Sequence, residues 1–430
     1  MPKISSDSNY LGARGVAVSL ISLHYGLGFL LGTSEMVYKN GISGALYAFM
    51  CAVGLAFLSL LVPFYWKKRY PIWRLLGRRY GKNVRDGITL LSWLWMIGVL
   101  ASQVLGAAYI INLVGLDIKN SIFLVILLVS LMSLLPVYKL SKLLLLLLVT
   151  NSTILIFGIF KLTTPNDLRL VYSQIPAGLF SNGLSNTLGI ALPTVLITML
   201  GMDFHQFVVR GKTVKKTLLG TLMASFILSL IVLLPLLTVI GAQNKGIINN
   251  SIDGKQIIPA VLLYLGKQSL GNKLGSLFLI AILTLCLGSG SCMTKILVKT
   301  FSEFKFIPKK FREKRKVLLV NAFIVSLLAL RGGTIISLIV SFYVIYISGV
   351  LVPFVAYILE DKKVIRFNPK SIYYSMLLGS AVALIIMIFS KLNMPLLHMF
   401  DNLEFTMIIS GVLISISPLI VTKVLEKHNL

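Results

Sequence analysis

The chain has 430 residues, 57% of them apolar and 13% charged, with 41 lysines and arginines against 14 acids and a net charge of +27. Soluble proteins carry about 25% charged residues, so this composition excludes an ordinary soluble domain and places the chain in lipid. The charge would suggest nucleic acid in a soluble protein; in a membrane chain it is judged by whether the basic residues gather in short loops on one side.

The first segment, MPKISSDSNYLGARG, is polar and lacks the regions of a cleaved signal peptide, so the first helix is expected to stay in the mature protein. A spanning helix takes about 20 apolar residues, and backbone in lipid must bond to itself, so each long apolar run predicts a helix. In chain order the runs are 14–38, 43–65, 88–115, 120–138, 140–162, 187–209, 215–242, 274–303, 316–330, 334–359, 371–391 and 403–425. They predict about twelve spans in one all-α polytopic domain with no soluble domain attached. The longest loop between them, 243–273, contains IIPAVLLYLGKQSLG, which is too short to cross. It is expected to lie in the interface or to form a lid around Ile258 to Leu265.

With the amino terminus inside, roughly 29 basic residues fall on the inner side against roughly 10 outside. The inner ones include Lys67 to Arg85, Arg210 to Lys216, Lys305 to Lys316 and Lys362 to Lys370. Both termini are therefore expected in the cytoplasm and the protein in the cytoplasmic membrane. Lipids and a small solute are its expected partners, and nucleic acid is not. Cys51, Cys286 and Cys292 are odd in number and lie in apolar runs, which argues against a disulfide framework. No metal-ligand spacing, Walker loop or paired nucleophile and base is present, so neither an enzyme nor a cofactor is expected.

Ionisable groups inside spans are expensive and usually face a cavity or a partner. His24 lies near the middle of the first span, in SLISLHYGLGFLLGTSEMVYKNG; Glu35 is near its outer end. Gly26, Gly28 and Gly32 are read either as close helix packing or as a break that frees carbonyls for a ligand. The sixth span, SNGLSNTLGIALPTVLITMLGMDFHQF, has the same polar, Gly- and Pro-interrupted character, with Asn186, Pro193, Thr194, Thr198, Gly201 and Asp203. Two such helices five apart are what an inverted-repeat transporter requires. In TLCLGSGSCMTK of the eighth span, Ser289 and Lys295 are candidates for a cation site, with snorkelling of Lys295 to the surface as the plainer reading.

These segments in their order resemble the sodium:solute symporter family. The resemblance rests on MVYKNGISGALY, PIWRLLGRRYGKNVRD, ASQVLGAAYIINLVGL with Ala101 and Gln103, DFHQFVVRGKTVKKTLLG, LCLGSGSCMTKIL, and the run from GGTIISLIVSFYVIYISGVLVPFVAYIL to NPKSIYYSMLLGSAVAL. It implies a LeuT-type fold of two inverted five-helix repeats, 14–162 and 187–359, with two further helices at 371–425. It also implies a cation site on backbone of the first core helix and on the eighth, here at Ser22, Tyr25, Leu285, Gly288 and Ser289. Gly288 stands where the family commonly has a serine, His24 where several members have an acid, and Tyr138 with Thr150-Asn151 where Tyr and Thr-Asp are usual; Gln206-Phe207 replaces Gln-Arg.

Sodium wants oxygen ligands and neutralising charge, so these changes predict weakened or replaced sodium coupling, with His24 as a proton carrier or Lys295 as a built-in cation, and Asn151 belongs to the same weakened cation site. The function so implied is secondary active transport of a small organic solute by alternating access, coupled to sodium or a proton. Substrate is expected among His24, Gly26, Gly28, Gln103, Asn186, Thr194 and Tyr343. The alternative is a membrane sensor or partner-binding subunit that kept the fold and lost transport.

Overall fold

The structure, a computed structural model, describes residues 10–135, 137–248, 252–304, 307, 308, 310, 312–392 and 400–428. The side chain of Tyr138 lies outside the described set. Helices α1 (Ala13–His24) and α2 (Leu27–Asn40) occupy the first expected span, and a 3-10 turn (Gly41–Ala45) leads into α3 (Leu46–Lys68). α4 (Ile72–Tyr80) fills the basic loop, followed by α5 (Lys82–Asn112), α6 (Ile118–Met132) and α7 (Val137–Leu162). α8 (Pro165–Gly178) leaves α7 at 111°. Its start is a capping box between Thr164 and Asp167 with Pro165 in the first turn.

The second half runs through α9 (Leu184–Leu200), α10 (Met202–Val209), α11 (Val214–Ile231) and α12 (Leu233–Asn244). A second 3-10 turn (Gly254–Gln256) precedes α13 (Ile257–Leu274), α14 (Leu277–Ser302), α15 (Lys314–Arg331) and α16 (Ile335–Asp361), and α17 (Pro369–Lys391) and α18 (Leu403–His428) follow. Among the described residues eight helices are long and apolar enough to cross a membrane, or nine if the bent α7–α8 pair is one span. The first two expected spans run together through the 3-10 turn and count once. α6 has 15 residues, short of a bilayer, and α15 opens on Lys314-Arg315-Lys316 and closes on Arg331.

Helices that are apolar on every face belong at the centre of a bundle. α5 and α16 are such helices, and they meet through Trp95 against Tyr343 and Tyr346, with ring centroids 5.7 and 6.2 Å apart. Gly98 makes room for this contact, because a Cβ there would stand 2.3 Å from the Phe342 ring. α18 is peripheral and turns Leu413, Ile420, Val421 and Leu425 outward, as a lipid-facing surface does. α4, which carries Arg74, Arg78 and Arg79, lies at the end of the bundle where α14 and α16 finish, the basic face. There α4 is clamped by Arg74 to Glu303 of the α14 end and by Arg79 to Glu360 of α16, each at 2.6 Å.

Candidate functional site

Each of the two polar, interrupted spans is broken. α1 ends at His24, Tyr25 turns out of helix at φ −76°, ψ 72°, and Gly26 is extended before α2 resumes at Leu27. Gly28 and Gly32 lie inside α2 and serve packing. A Cβ on either would stand 2.8 Å from Ile339 or Ile336 of α16, so their small size is what lets the two helices touch. Gly26 instead faces α5 and α14, where a Cβ would lie 3.0 Å from Ser289 Oγ and 3.4 Å from the Gln103 amide.

The second break is at Gly201, extended between α9 and α10. A helix end inside a membrane must find donors for its last carbonyls. Tyr65 of α3 donates to the Met199 carbonyl at 2.9 Å, Tyr346 of α16 donates to Leu200 at 3.0 Å, and His205 Nε2 lies 3.1 Å from Met199. Past the break, Asp203 in the first turn of α10 is only 2% exposed, and its Oδ1 has no partner. The next residue, Phe204, stacks on His24 with centroids 4.6 Å apart, and His24 Nε2 is itself buried without a partner. The two breaks thus face one another across a His24–Phe204 contact.

A cavity of about 320 Å³ enters from the basic face between α1, α5, α10 and α14. Exposed Arg210 and Lys299 stand at its mouth, Lys295 and Gln206 on its wall, and buried Ser22, Gln103 and Ser289 at its floor. Among the described residues no carboxylate lines it. Ser22 Oγ is unpartnered. Ser289 Oγ lies 2.5 Å from Gln103 Oε1 and 2.6 Å from the Leu285 carbonyl, so its one proton is committed to that pair. The Lys295 ammonium donates to the carbonyl of Leu135 just beyond α6. Gly288 is buried on α14 beside Ser289. Asn151 of α7, also buried, donates its amide to Ala281 of α14 at 3.0 Å and to Leu147 at 2.9 Å.

The opposite face is shut. Glu35 of α2, 1% exposed, accepts the backbone N–H of Ile335 at the start of α16 at 3.1 Å. It is also paired with Lys39 at 3.0 Å and with Lys255 of the second 3-10 turn at 3.7 Å. Gln256 next to it donates to the Tyr109 carbonyl and to Asn112 on α5. α13 follows with Ile257, Ile258, Val261, Leu262 and Leu265 buried. The expected lid segment therefore lies packed over this end, tied to α2, α5 and α16 around one carboxylate.

Of the expected substrate residues, His24, Gly26 and Gln103 come together at the first break. Tyr343 packs near the second through Trp95, and Thr194 is buried in α9 with its hydroxyl bonded back to Ile190. Asn186 stands apart. It accepts from Asn402 beside α18, fourteen residues and about 21 Å up α9 from Leu200. Sequence reasoning passed over Tyr65, Tyr346 and His205, because their partners are carbonyls that only the break uncovers.

No family model and no curated protein matches the chain. Solved structures do. One is a Na+-coupled sialic acid symporter in a substrate-bound outward-open state, with TM-score 0.72 and 13% identity, covering 99% of this chain and 93% of that one. Another is Mhp1, a nucleobase-cation-symport-1 family transporter in a closed conformation with bromovinylhydantoin bound, with TM-score 0.60 and 12% identity, covering 99% and 96%. The fold is of the LeuT type. At these identities the likeness concerns architecture. In this LeuT-type frame the two broken helices, α1–α2 and α9–α10, stand where the two expected repeats begin.

Proposed function

We propose that the chain is a secondary active transporter that carries a small organic solute across the cytoplasmic membrane by alternating access, with its basic face and both termini in the cytoplasm. The observation that carries this reading is the pairing of a cavity open on one face with a seal on the other, around two broken helices that touch. The two solved structures named above are transporters of organic solutes, which supports it.

The solute is an anion. Arg210, Lys295 and Lys299 face the cavity without an acid among them, and Ser22, Gln103 and Gln206 add neutral polar groups. Glu35, the carboxylate that a cationic solute would want, is already held by two lysines and a backbone N–H. A carboxylate that displaces the Leu135 carbonyl from Lys295 gains a charge-assisted bond of about 1.5–3 kcal/mol.

Counterflow by purified protein in proteoliposomes, run with matched acidic, neutral and cationic solutes, tests the assignment. Exchange confined to acids is expected, with KM raised about tenfold or more in Lys295→Gln. Exchange of cationic solutes alone overturns the anion assignment. No exchange of any solute, together with a basic-face cavity that never closes, overturns transport in favour of a sensor.

A further inference from the structure

We infer that Asp203 is the residue that binds the coupling ion, and that the ion is a proton. Of the thirteen acids among the described residues, Asp203 alone stands at a helix break inside the bundle. The described others lie in loops or at helix ends near a face. Asp203 is 2% exposed, and no lysine or arginine among the described residues pairs with it. Its Oδ1 meets no donor.

A carboxylate stripped of water without a cation is costly enough that the group takes up a proton instead. One influence opposes this. Asp203 sits in the first turn of α10, where the helix dipole and its own and Phe204's N–H groups favour the anion. The balance is therefore set by hydration, and hydration is what changes when a broken helix opens and closes.

The titratable groups around it are few. His205 shares its helix; His24 faces α10 from α1 through Phe204; Tyr47, Cys51 and Tyr65 come from α3; Tyr343 and Tyr346 come from α16. α9 contributes none. Arg69, the basic side chain bonded to α10, is spent on the Val209 carbonyl at the far end. Among the described residues no fixed cation competes with the proton. A bound sodium has little to do elsewhere, since the amide of Asn151 already joins α7 to α14 and the Ser289 hydroxyl is committed.

In the hydrated state Asp203 takes one proton from water, holds it as the neutral acid while sealed, and returns it to water when the break opens on the other side. The sign follows. The state described here, with Asp203 sealed and the basic-face cavity open, is favoured at acid pH and loses population as pH rises.

Cys292, which lines the cavity, is a native reporter, because Cys51 and Cys286 are buried. The full chain in lipid vesicles is labelled with a membrane-impermeant maleimide at a series of pH values, in sodium and in potassium. The native rate, corrected for thiol ionisation, should fall with rising pH by up to about tenfold per unit, the limit for one proton linked to a two-state equilibrium. Asp203→Asn should abolish this dependence and Asp203→Glu should retain it.

Infrared spectra of the native protein should show one buried carboxylic-acid carbonyl band that Asp203→Asn lacks. The native spectrum is informative even where a variant folds poorly. Sodium-specific change at constant pH, pH dependence that survives Asp203→Asn, or absence of the band overturns the inference. It rests on the alternating-access reading. Labelling at one rate under every ion and pH fails both, whereas pH-dependent labelling without Asp203 fails the proton assignment alone.

Discussion

Glu35 holds three separate pieces of chain with one carboxylate: Lys39 on its own helix, Lys255 on the lid turn, and the Ile335 N–H that opens α16. Removing one partner from a buried charged cluster strands the others, so Glu35→Ala should weaken the seal by about 2–4 kcal/mol. The expected outcome is faster amide exchange over residues 254–265, with little change in α5. Lys255 adds a pH term to the same contact. Burial lowers its affinity for a proton, but Glu35 and then Asp253 more than offset this, and its pKa ends above the ordinary lysine value. A raised pKa means that the contribution is complete below the ordinary value and is lost as pH rises through the raised one. Lid protection, taken from exchange rates corrected for the intrinsic base catalysis of amide exchange, should therefore be flat through neutral pH and fall only in alkali, and a lid that loosens on acidification would contradict this.

At the scale of elements, the link between α7 and α14 is an amide donating to a carbonyl, Asn151 to Ala281. Asn151→Ala removes the side-chain donor that both carbonyls share beyond their helical bonds, and a loss of about 1 kcal/mol is expected in thermal unfolding. Asn151→Asp is predicted to be worse in potassium, since acceptor then faces acceptor, and to be partly restored by sodium seated between them. Equal melting in both salts would show that no cation fits there. Packing sets a second limit at this scale. A Cβ on Gly44 would come within 2.2 Å of α2 backbone, which cannot swing aside as a side-chain tip can. Gly44→Ala should destabilise by about 1–3 kcal/mol or block folding, whereas Gly28→Ala, which meets the end of Ile339, should be milder.

The whole molecule behaves as a balance between two closures. The opposite face is held by Glu35, Lys255 and Gln256, while the basic face has its cavity open although α4 is clamped beside it by Arg74 and Arg79. If the two closures exclude one another, weakening the first shifts population to the other state by about tenfold for each 1.4 kcal/mol. Glu35→Gln should then slow labelling of Cys292 from the basic side, although the two residues lie near opposite faces. Unchanged labelling alongside a loosened lid would mean that the faces open independently.

Much of this was legible because it is local. Apolar run lengths dictated helices, and glycine with polar residues in the first and sixth spans left close packing and a break as alternatives; the breaks came at Tyr25–Gly26 and Gly201, while Gly28 and Gly32 pack. The sequence also singled out Gln103, Ser22, Ser289 and Lys295, which line one cavity. α8 was missed although its Thr164–Asp167 box is local, because a 14-residue helix of mixed polarity has no long apolar run. Asn186 was grouped with the site on composition, but a partner 216 residues away holds it at the far end of α9.

Composition and spacing thus decided the solvent, the helices and the two spans open to interruption, since each depends on a residue and its near neighbours in lipid. They could not decide which atoms meet across an interruption. That Tyr65 and Tyr346 cap the carbonyls freed at Gly201, and that Asp203 is buried with no cation beside it among the described residues, follows from helices brought together over more than a hundred residues of chain. A buried polar group takes its chemistry from whatever packing puts beside it, and packing is a property of the assembled bundle.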